Sequence, residues 1–249
     1  MRALRKLGHL VMVGLLTGCS GITPGPPPQA NGPPDYPWHT NIVATTFWVG
    51  EVFDPLAADG SQVVSTYDGS WLAHYGGCDG IVINQICSTE RRSTSNGFFP
   101  TAMTPLQNPF YLDLPFDDIH DPGAFGHRAT VVPWAVGVSA AIVRDPSVSL
   151  LKNRWVRLRQ GSQECFGQVE DAGPGVYDDA AYVFGANNAR PANNRFGGAG
   201  LDVSPALNGC LGFIDLNGSD DHVDWQFVED HDVPPGPWRT LVTTSGVSP

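Results

Sequence analysis

Basic side chains are scarce in this sequence of 249 residues: Lys and Arg number 14 against 25 Asp and Glu, a formal charge of -11. That balance denies nucleic acid and anionic membrane surfaces the counter-charge they need, and it suits a neutral polysaccharide. Long apolar runs are also missing. The stretch Leu7–Leu16 is too short to span a bilayer, and no second run approaches membrane length. Apolar residues almost nowhere recur at helical spacing over three turns, which excludes a helical bundle. No internal repeat, Ser-His-Asp or Cys-His arrangement, or phosphate loop is found. The cysteines lack a close Cys-x2-Cys pair, and His74 and His120 have no partner pattern, so neither metal nor cofactor is expected.

What is present begins with an address. Arg2, Arg5 and Lys6 precede the apolar stretch, which ends in Leu16-Thr17-Gly18-Cys19. This resembles a bacterial lipoprotein box, implying cleavage of a signal at 1–18 and lipidation of Cys19. Loss of three cations with the signal takes the charge from -11 to -14. The expected location is outside the cytoplasm, lipid-anchored to the cell membrane or outer membrane. Residues 19–40 read as lipidated cysteine and tether, with seven prolines between Gly21 and Trp38 that disfavour helix and central strand. Residues 41–240 then form one domain and 241–249 a flexible tail. Cys78, Cys87, Cys165 and Cys210 remain, an even number suggesting two disulfides. Of three connectivities, Cys78–Cys87 with Cys165–Cys210 is preferred because Cys78 and Cys87 share one loop-like segment.

Short β-rich runs bounded by Gly, Pro, Asn and Asp dominate the domain. "NIVATTFWVGE" contains a strand and "NPFYLDLPF" another, while "ATVVPWAV" reads as a strand broken at Pro133. "ADGSQVVSTYDGSWLAHYGGCDG" reads as a polar, aromatic loop. "RWVRLRQ" and "ECFGQVEDAGPG" form a hairpin. "AGLDVS" is a short strand, followed by a helix with Ser204 as N-cap and Pro205 at its first position. "HVDWQFVED" closes the set. The expected class is mainly β: a closed barrel of about six strands with long loops and short helices.

Taken in order, these pieces resemble the double-psi β-barrel shared by rare lipoprotein A-type lytic transglycosylases, expansins and one group of endoglucanases. Leu114-Pro115-Phe116 is similar to the family's Leu-Pro-Phe, and Trp155-Val156-Arg157-Leu158 to the strand after it. Glu170-Asp171-Ala172-Gly173-Pro174 resembles its Asn-Asp-Arg-Gly-Pro turn, and Leu201-Asp202-Val203-Ser204-Pro205-Ala206 its strand-to-helix step. Ala44-Thr45-Thr46-Phe47-Trp48 and Tyr75-Gly76-Gly77-Cys78-Asp79-Gly80 are similar to expansin segments, and Val223–Val228 takes the place of their closing strand. An insertion near 117–148 departs from the small barrels, and the endoglucanases' first carboxylate has no clear counterpart.

The resemblance implies that Asp202 protonates a glycosidic oxygen. A carboxyl flanked by Leu201 and Val203 at a strand end would be partly desolvated, raising its pKa toward working pH. The structural alternative is a helix-capping aspartate, although Ser204 is better placed to cap. Asp171 fits a turn residue accepting backbone hydrogen bonds, with orientation of Asp202 as a supporting role. A hydrolase needs a second carboxylate. Asp68, beside Tyr67 and Trp71, and Asp113 are the candidates, with Glu51 a weaker one; Asp68 also fits an ordinary Asp-Gly turn. A lytic transglycosylase needs only one acid, because the sugar's own hydroxyl closes on the anomeric carbon. Tyr67, Trp71, Tyr75, Tyr111 and Tyr177 are candidate platforms for sugar rings, and Asn194 and Arg195 candidate partners for hydroxyls. The sequence thus points to an anchored protein acting on a β-linked polysaccharide, against a non-catalytic expansin-like binding module or a structural envelope protein.

Overall fold

The computed structural model describes residues 36–56, 60–216 and 220–249. The signal stretch, Cys19 and the tether up to Asp35 lie outside them. Six strands close into a barrel in the order β1, β7, β4, β6, β5, β8. These are β1 (His39–Thr46), β4 (Tyr111–Leu114), β5 (Trp155–Gln160), β6 (Gln163–Ala172), β7 (Leu201–Val203) and β8 (His222–Val228). β2 (Ile81–Ile83) and β3 (Ile86–Ser88) form a separate two-stranded sheet. The barrel is mixed: β1 with β7 and β4 with β6 are parallel, and the other four pairs antiparallel. Closure removes the exposed edges an open sheet of this size would carry.

The expected hairpin is β5–β6, turning at Gly161 and Ser162 between the paired Gln160 and Gln163. Alternation drives it: Trp155, Val156 and Leu158 are buried while Arg157 and Arg159 are not. The expected step after β7 is also present. Ser204 caps α5 (Pro205–Leu211) by accepting from Leu207 N–H at 3.2 Å, and Pro205 supplies a preset φ at the first position. Inside the barrel, Leu112, Leu114, Val156, Leu158, Leu201, Val203 and Trp225 are fully buried. Cys78–Cys87 and Cys165–Cys210 are both bridged.

Two segments differ from the expectation. The insertion is helical where a Pro133-broken strand was expected: α2 (Pro122–Val131), a 3-10 turn at Pro133–Gly137 and α3 (Ala140–Val143). Asp121 explains the start, since its Oδ1 accepts from Gly123 and Ala124 N–H while Pro122 begins the helix. Arg128 then anchors it. Its fully buried guanidinium pairs with Asp118 and donates to the carbonyls of Ile142, Val143, Asp145 and Val148. That network overrides the strand preference of the Val131-Val132 pair. The loop expected near Tyr67 contains α1 (Trp71–Tyr75), ended by Gly76 in the left-handed conformation at φ 101°. A further short helix, α4 (Ala180–Val183), follows β6.

Neither terminal boundary falls where the composition placed it. Tyr36, expected in the tether, is buried, with its ring edge-on to Trp134 and Phe227 and its hydroxyl donating to Glu229 at 2.5 Å. Residues 241–249, expected as a flexible tail, are stitched into the fold. Thr243 Oγ1 accepts from Asn108 N–H and its own N–H donates to Gln168 Oε1, both at 2.9 Å. Ser248 N–H donates to the Tyr67 carbonyl at 2.9 Å, and Gly69 N–H to the Ser248 carbonyl at 2.7 Å. Polar composition hid these long-range bonds. Deleting residues 243–249 strips partners from the buried Asn108 and Gln168. That should cost about 2–4 kcal/mol, roughly 4–16 °C in Tm. An unchanged thermal melt would show that the tail adds nothing.

Candidate functional site

β7 has three residues, and its neighbours decide what its middle one does. Leu201 and Val203 are buried in the core, so alternation turns Asp202 to the outer face, where it is half-buried. The parallel register sets Thr45 beside it on β1, and the Thr45 hydroxyl donates to Asp202 Oδ1. On the other side the Asp202 N–H donates to Asp113 Oδ1 at 2.7 Å. Asp113 is in turn in register with Asp171 on β6, just beyond an irregularity between Leu112 and Asp113. The three strands therefore carry a row of three carboxyls, Asp202, Asp113 and Asp171.

The row is unlike in environment. Asp113 is 3% exposed. Behind it lies Gly173, where a Cβ would fall 2.5 Å from Asp113 Oδ2, so any larger residue would collide with the carboxyl. Burial pushes the Asp113 pKa well above the carboxylate range; the charges of Asp202 and Asp171 push the same way, and the Asp202 N–H only partly offsets them. Burial also raises Asp202, to about 6, against the pull of the Thr45 hydroxyl. Asp171 is raised to about 6 by burial, opposed by the N–H groups of Thr66 at 2.7 Å and Ala172 at 2.8 Å. Asp171 therefore lies within β6 and ties that strand to the distant Thr66 segment, rather than accepting only within its own Gly-Pro turn.

Glu51, the weakest sequence candidate, joins this group. It follows β1 by five residues, and burial lifts its carboxyl to about 7; the Trp48 N–H opposes the rise and the Asp202 charge adds to it. Asp68 does not join. Its Oδ1 accepts from Ser70 N–H at 2.9 Å, and both oxygens lie 2.8 Å from His74 Nδ1, so the carboxylate fastens the turn into α1. The turn alternative for Asp68 is the one observed. The capping alternative for Asp202 is not, because Ser204 caps α5.

The aromatic candidates need correction. Tyr67, Trp71, Tyr75 and Tyr111 are in the interior, none more than 1% exposed. Trp71 and Tyr75 join Phe47, Val49 and Tyr111 in a second small core outside the barrel wall, so their faces are covered by protein rather than open to a sugar. In a loop without obvious alternation, sequence could not separate packing rings from surface rings. Tyr177, Asn194 and Arg195 are exposed. Buried Asn193 shapes their neighbourhood, donating to Ala199 O at 2.8 Å and accepting from Arg195 N–H at 2.9 Å. Phe196, which was not singled out, is exposed with the Arg195 guanidinium 5.2 Å over its ring.

Among the described residues no group of three or more His, Cys, Asp or Glu is arranged to hold a metal ion. Comparison of the chain with protein-family models, curated proteins and solved structures finds no match.

The raised carboxyls fix the sign of a pH effect. A folded-state pKa above the unfolded value contributes stability that is full below about pH 4 and is lost as pH rises through the folded value. Asp202→Asn should therefore reduce the fall in stability between pH 4 and 7 by roughly 2–3 kcal/mol, read as the difference from wild type in denaturant titrations. Asp113→Ala should cost about 1–3 kcal/mol at every pH by leaving the Asp202 N–H without its partner. Equal slopes for wild type and Asp202→Asn would refute the assignment.

Proposed function

We propose that the chain acts on a β-linked polysaccharide, peptidoglycan or a cellulose-like glucan, with Asp202 as general acid. The observation that carries this reading is a half-buried carboxyl on the barrel's outer face with its pKa raised to about 6, its backbone N–H held by the buried Asp113 carboxyl. A general acid needs that combination: enough exposure to meet a substrate, and enough desolvation to hold a proton near working pH. The ordered motifs ending in Leu201-Asp202-Val203-Ser204 support membership of the double-psi barrel group, and a closed, mixed six-stranded barrel is compatible with it. The Leu-Thr-Gly-Cys box ending at Cys19 supports an exported, lipid-anchored protein.

In the proposed step Asp202 gives its proton to the leaving glycosidic oxygen as the bond to the anomeric carbon breaks. Thr45 holds the carboxyl in one orientation and Asp113 fixes the backbone beneath it. In a hydrolase Glu51 replaces Asp68 and Asp113 as second carboxyl, since Asp68 is engaged with His74 and Asp113 lies buried behind Asp202. Glu51, as the carboxylate of the pair, takes a proton from the attacking water while Asp202 delivers its own to the leaving oxygen. In a lytic transglycosylase the sugar's own hydroxyl attacks, and Asp202 alone serves as acid and base.

Incubation with purified peptidoglycan and with a β-linked glucan separates the readings. Reducing ends mark hydrolysis, and anhydro-sugars mark the transglycosylase. Asp202→Asn should lower the rate by at least about a hundredfold. For hydrolysis the rate should be bell-shaped in pH, with limbs near the values of about 6 and about 7 that belong to the Asp202–Glu51 pair. Glu51→Gln should remove one limb. Binding without any product would favour the expansin-like module, and neither binding nor product would overturn the proposal.

A further inference from the structure

Just past β1 the chain makes a tight turn from Trp48 to Glu51. Glu51 N–H donates to the Trp48 carbonyl at 2.9 Å, and Gly50, the third residue, has φ 91°, the left-handed value that such a turn gives to glycine. The second residue of a turn has no partner inside it for its N–H or C=O, and here that residue, Val49, is fully buried. Both groups are nevertheless met. Val49 N–H donates to the Tyr111 hydroxyl at 3.0 Å, and the Val49 carbonyl accepts from Asp79 N–H at 2.9 Å. On the other side Gly50 N–H donates to the Gln62 carbonyl and Gln62 N–H to the Glu51 carbonyl, both at 2.8 Å. The turn that displays Glu51 is thus gripped from two directions.

The Tyr111 hydroxyl is itself aimed. It donates to Asp79 Oδ2 at 2.7 Å, and Asp79 Oδ1 accepts from Arg92 Nη2 at 2.8 Å, with all three side chains buried. Spending its proton on Asp79 leaves the hydroxyl oxygen to accept from Val49. Phe47, Trp71 and Tyr75 surround the Tyr111 ring edge-on or tilted, at centroid distances of 5.3, 5.2 and 5.8 Å, and deny it other orientations. Tyr111 also reaches the other half of the proposed pair. It stands two residues before Asp113 on β4, and its carbonyl accepts from Ser204 N–H at 2.9 Å, two residues after Asp202. One residue therefore holds the exit of β7 by its carbonyl and the Glu51 turn by its hydroxyl.

We infer that Tyr111 is a positioning residue that fixes the reach between Asp202 and Glu51, with Asp79 and Arg92 aiming its hydroxyl. The inference rests on the proposed assignment of Asp202 and Glu51 as the acting pair. Spacing is what such a pair needs. Two carboxyls serving an inverting hydrolysis stand about 6.5–9.5 Å apart, and a misplacement of about 1 Å can cost on the order of a hundredfold in rate. Asp202 is carried by a strand and Glu51 by a loop, so their spacing is only as firm as the link between the two. Tyr111 supplies that link through the backbone at each end, without meeting substrate. The same grip keeps water from Glu51, whose carboxyl is lifted by burial to about 7.

Tyr111→Phe deletes the hydroxyl and keeps both the ring and the carbonyl that holds Ser204. Tyr36→Phe is the control, since it removes a hydroxyl that likewise donates to a carboxylate, Glu229, in the separate cluster with Trp134 and Phe227. Carbon-13 NMR of the labelled Glu carboxyls, assigned with Glu51→Gln, reads the effect without substrate. The Glu51 midpoint should fall from about 7 by about 1 pH unit in Tyr111→Phe, as water reaches the loosened turn, and should not move in Tyr36→Phe. On a glycan that wild type cleaves, Tyr111→Phe should lower kcat at least about tenfold with KM within about twofold. Asp79→Asn, one link further out, should move the midpoint the same way and serves if Tyr111→Phe does not fold. Val49 amide exchange in wild type needs no variant: protection like that of β5 and β6 supports the bond to Tyr111, and loop-like exchange overturns it. An unmoved Glu51 midpoint in folded Tyr111→Phe, even with a lowered Tm, overturns the inference, as does an equal fall in Tyr36→Phe. Wild type that yields no product defeats the proposed pair instead, and the Glu51 midpoint still decides whether Tyr111 holds that turn.

Discussion

The hydrogen bond from the Asp202 backbone N–H to the buried Asp113 carboxyl ties the site to the fold. It fastens β7 to β4 at a point where the two strands share only a short antiparallel contact, Leu112 opposite Val203. It also gives Asp113 a partner without supplying a compensating cation. A carboxyl so placed is far less costly neutral than charged. Burial raises Asp113 well above the ordinary carboxylate range and, against the pull of the Thr45 hydroxyl, lifts Asp202 to about 6. Gly173 belongs to the same arrangement, since any side chain there would displace Asp113 Oδ2.

Much of the barrel was legible because its signals are local. The β5–β6 hairpin follows from alternation around a Gly-Ser turn, and the β7-to-α5 step from Ser204 and Pro205 at successive cap positions. The disulfide pairing also follows, because Cys78 and Cys87 share one short segment. What stayed hidden depends on contacts distant in sequence. Nothing near Asp68 reveals that His74 occupies its carboxylate until α1 forms between them. Glu51 comes under the Asp202 charge only because β1 and β7 lie side by side in the closed barrel. Trp71 and Tyr75 look like surface rings in a polar loop, yet the loop folds back against Tyr111 of β4 to make a second core.

Site and hairpin are neighbours rather than separate features. Glu51 lies just past Gly50, where a Cβ would fall 2.9 Å from Cys87 Sγ, so the hairpin base abuts the chain that delivers Glu51. The Cys78–Cys87 bridge and the Trp48 indole hold that base in place.

Burial holds the Asp113 carboxyl well above the ordinary carboxylate range and lifts Asp202 to about 6. Carbon-13 NMR of the labelled Asp and Glu carboxyls, followed from pH 3 to 9 and assigned with Asp113→Asn and Asp202→Asn, measures both directly. The Asp113 carbon should titrate well above the ordinary Asp value of about 4 and the Asp202 carbon with a midpoint near 6. Midpoints close to 4 at both positions would contradict this account.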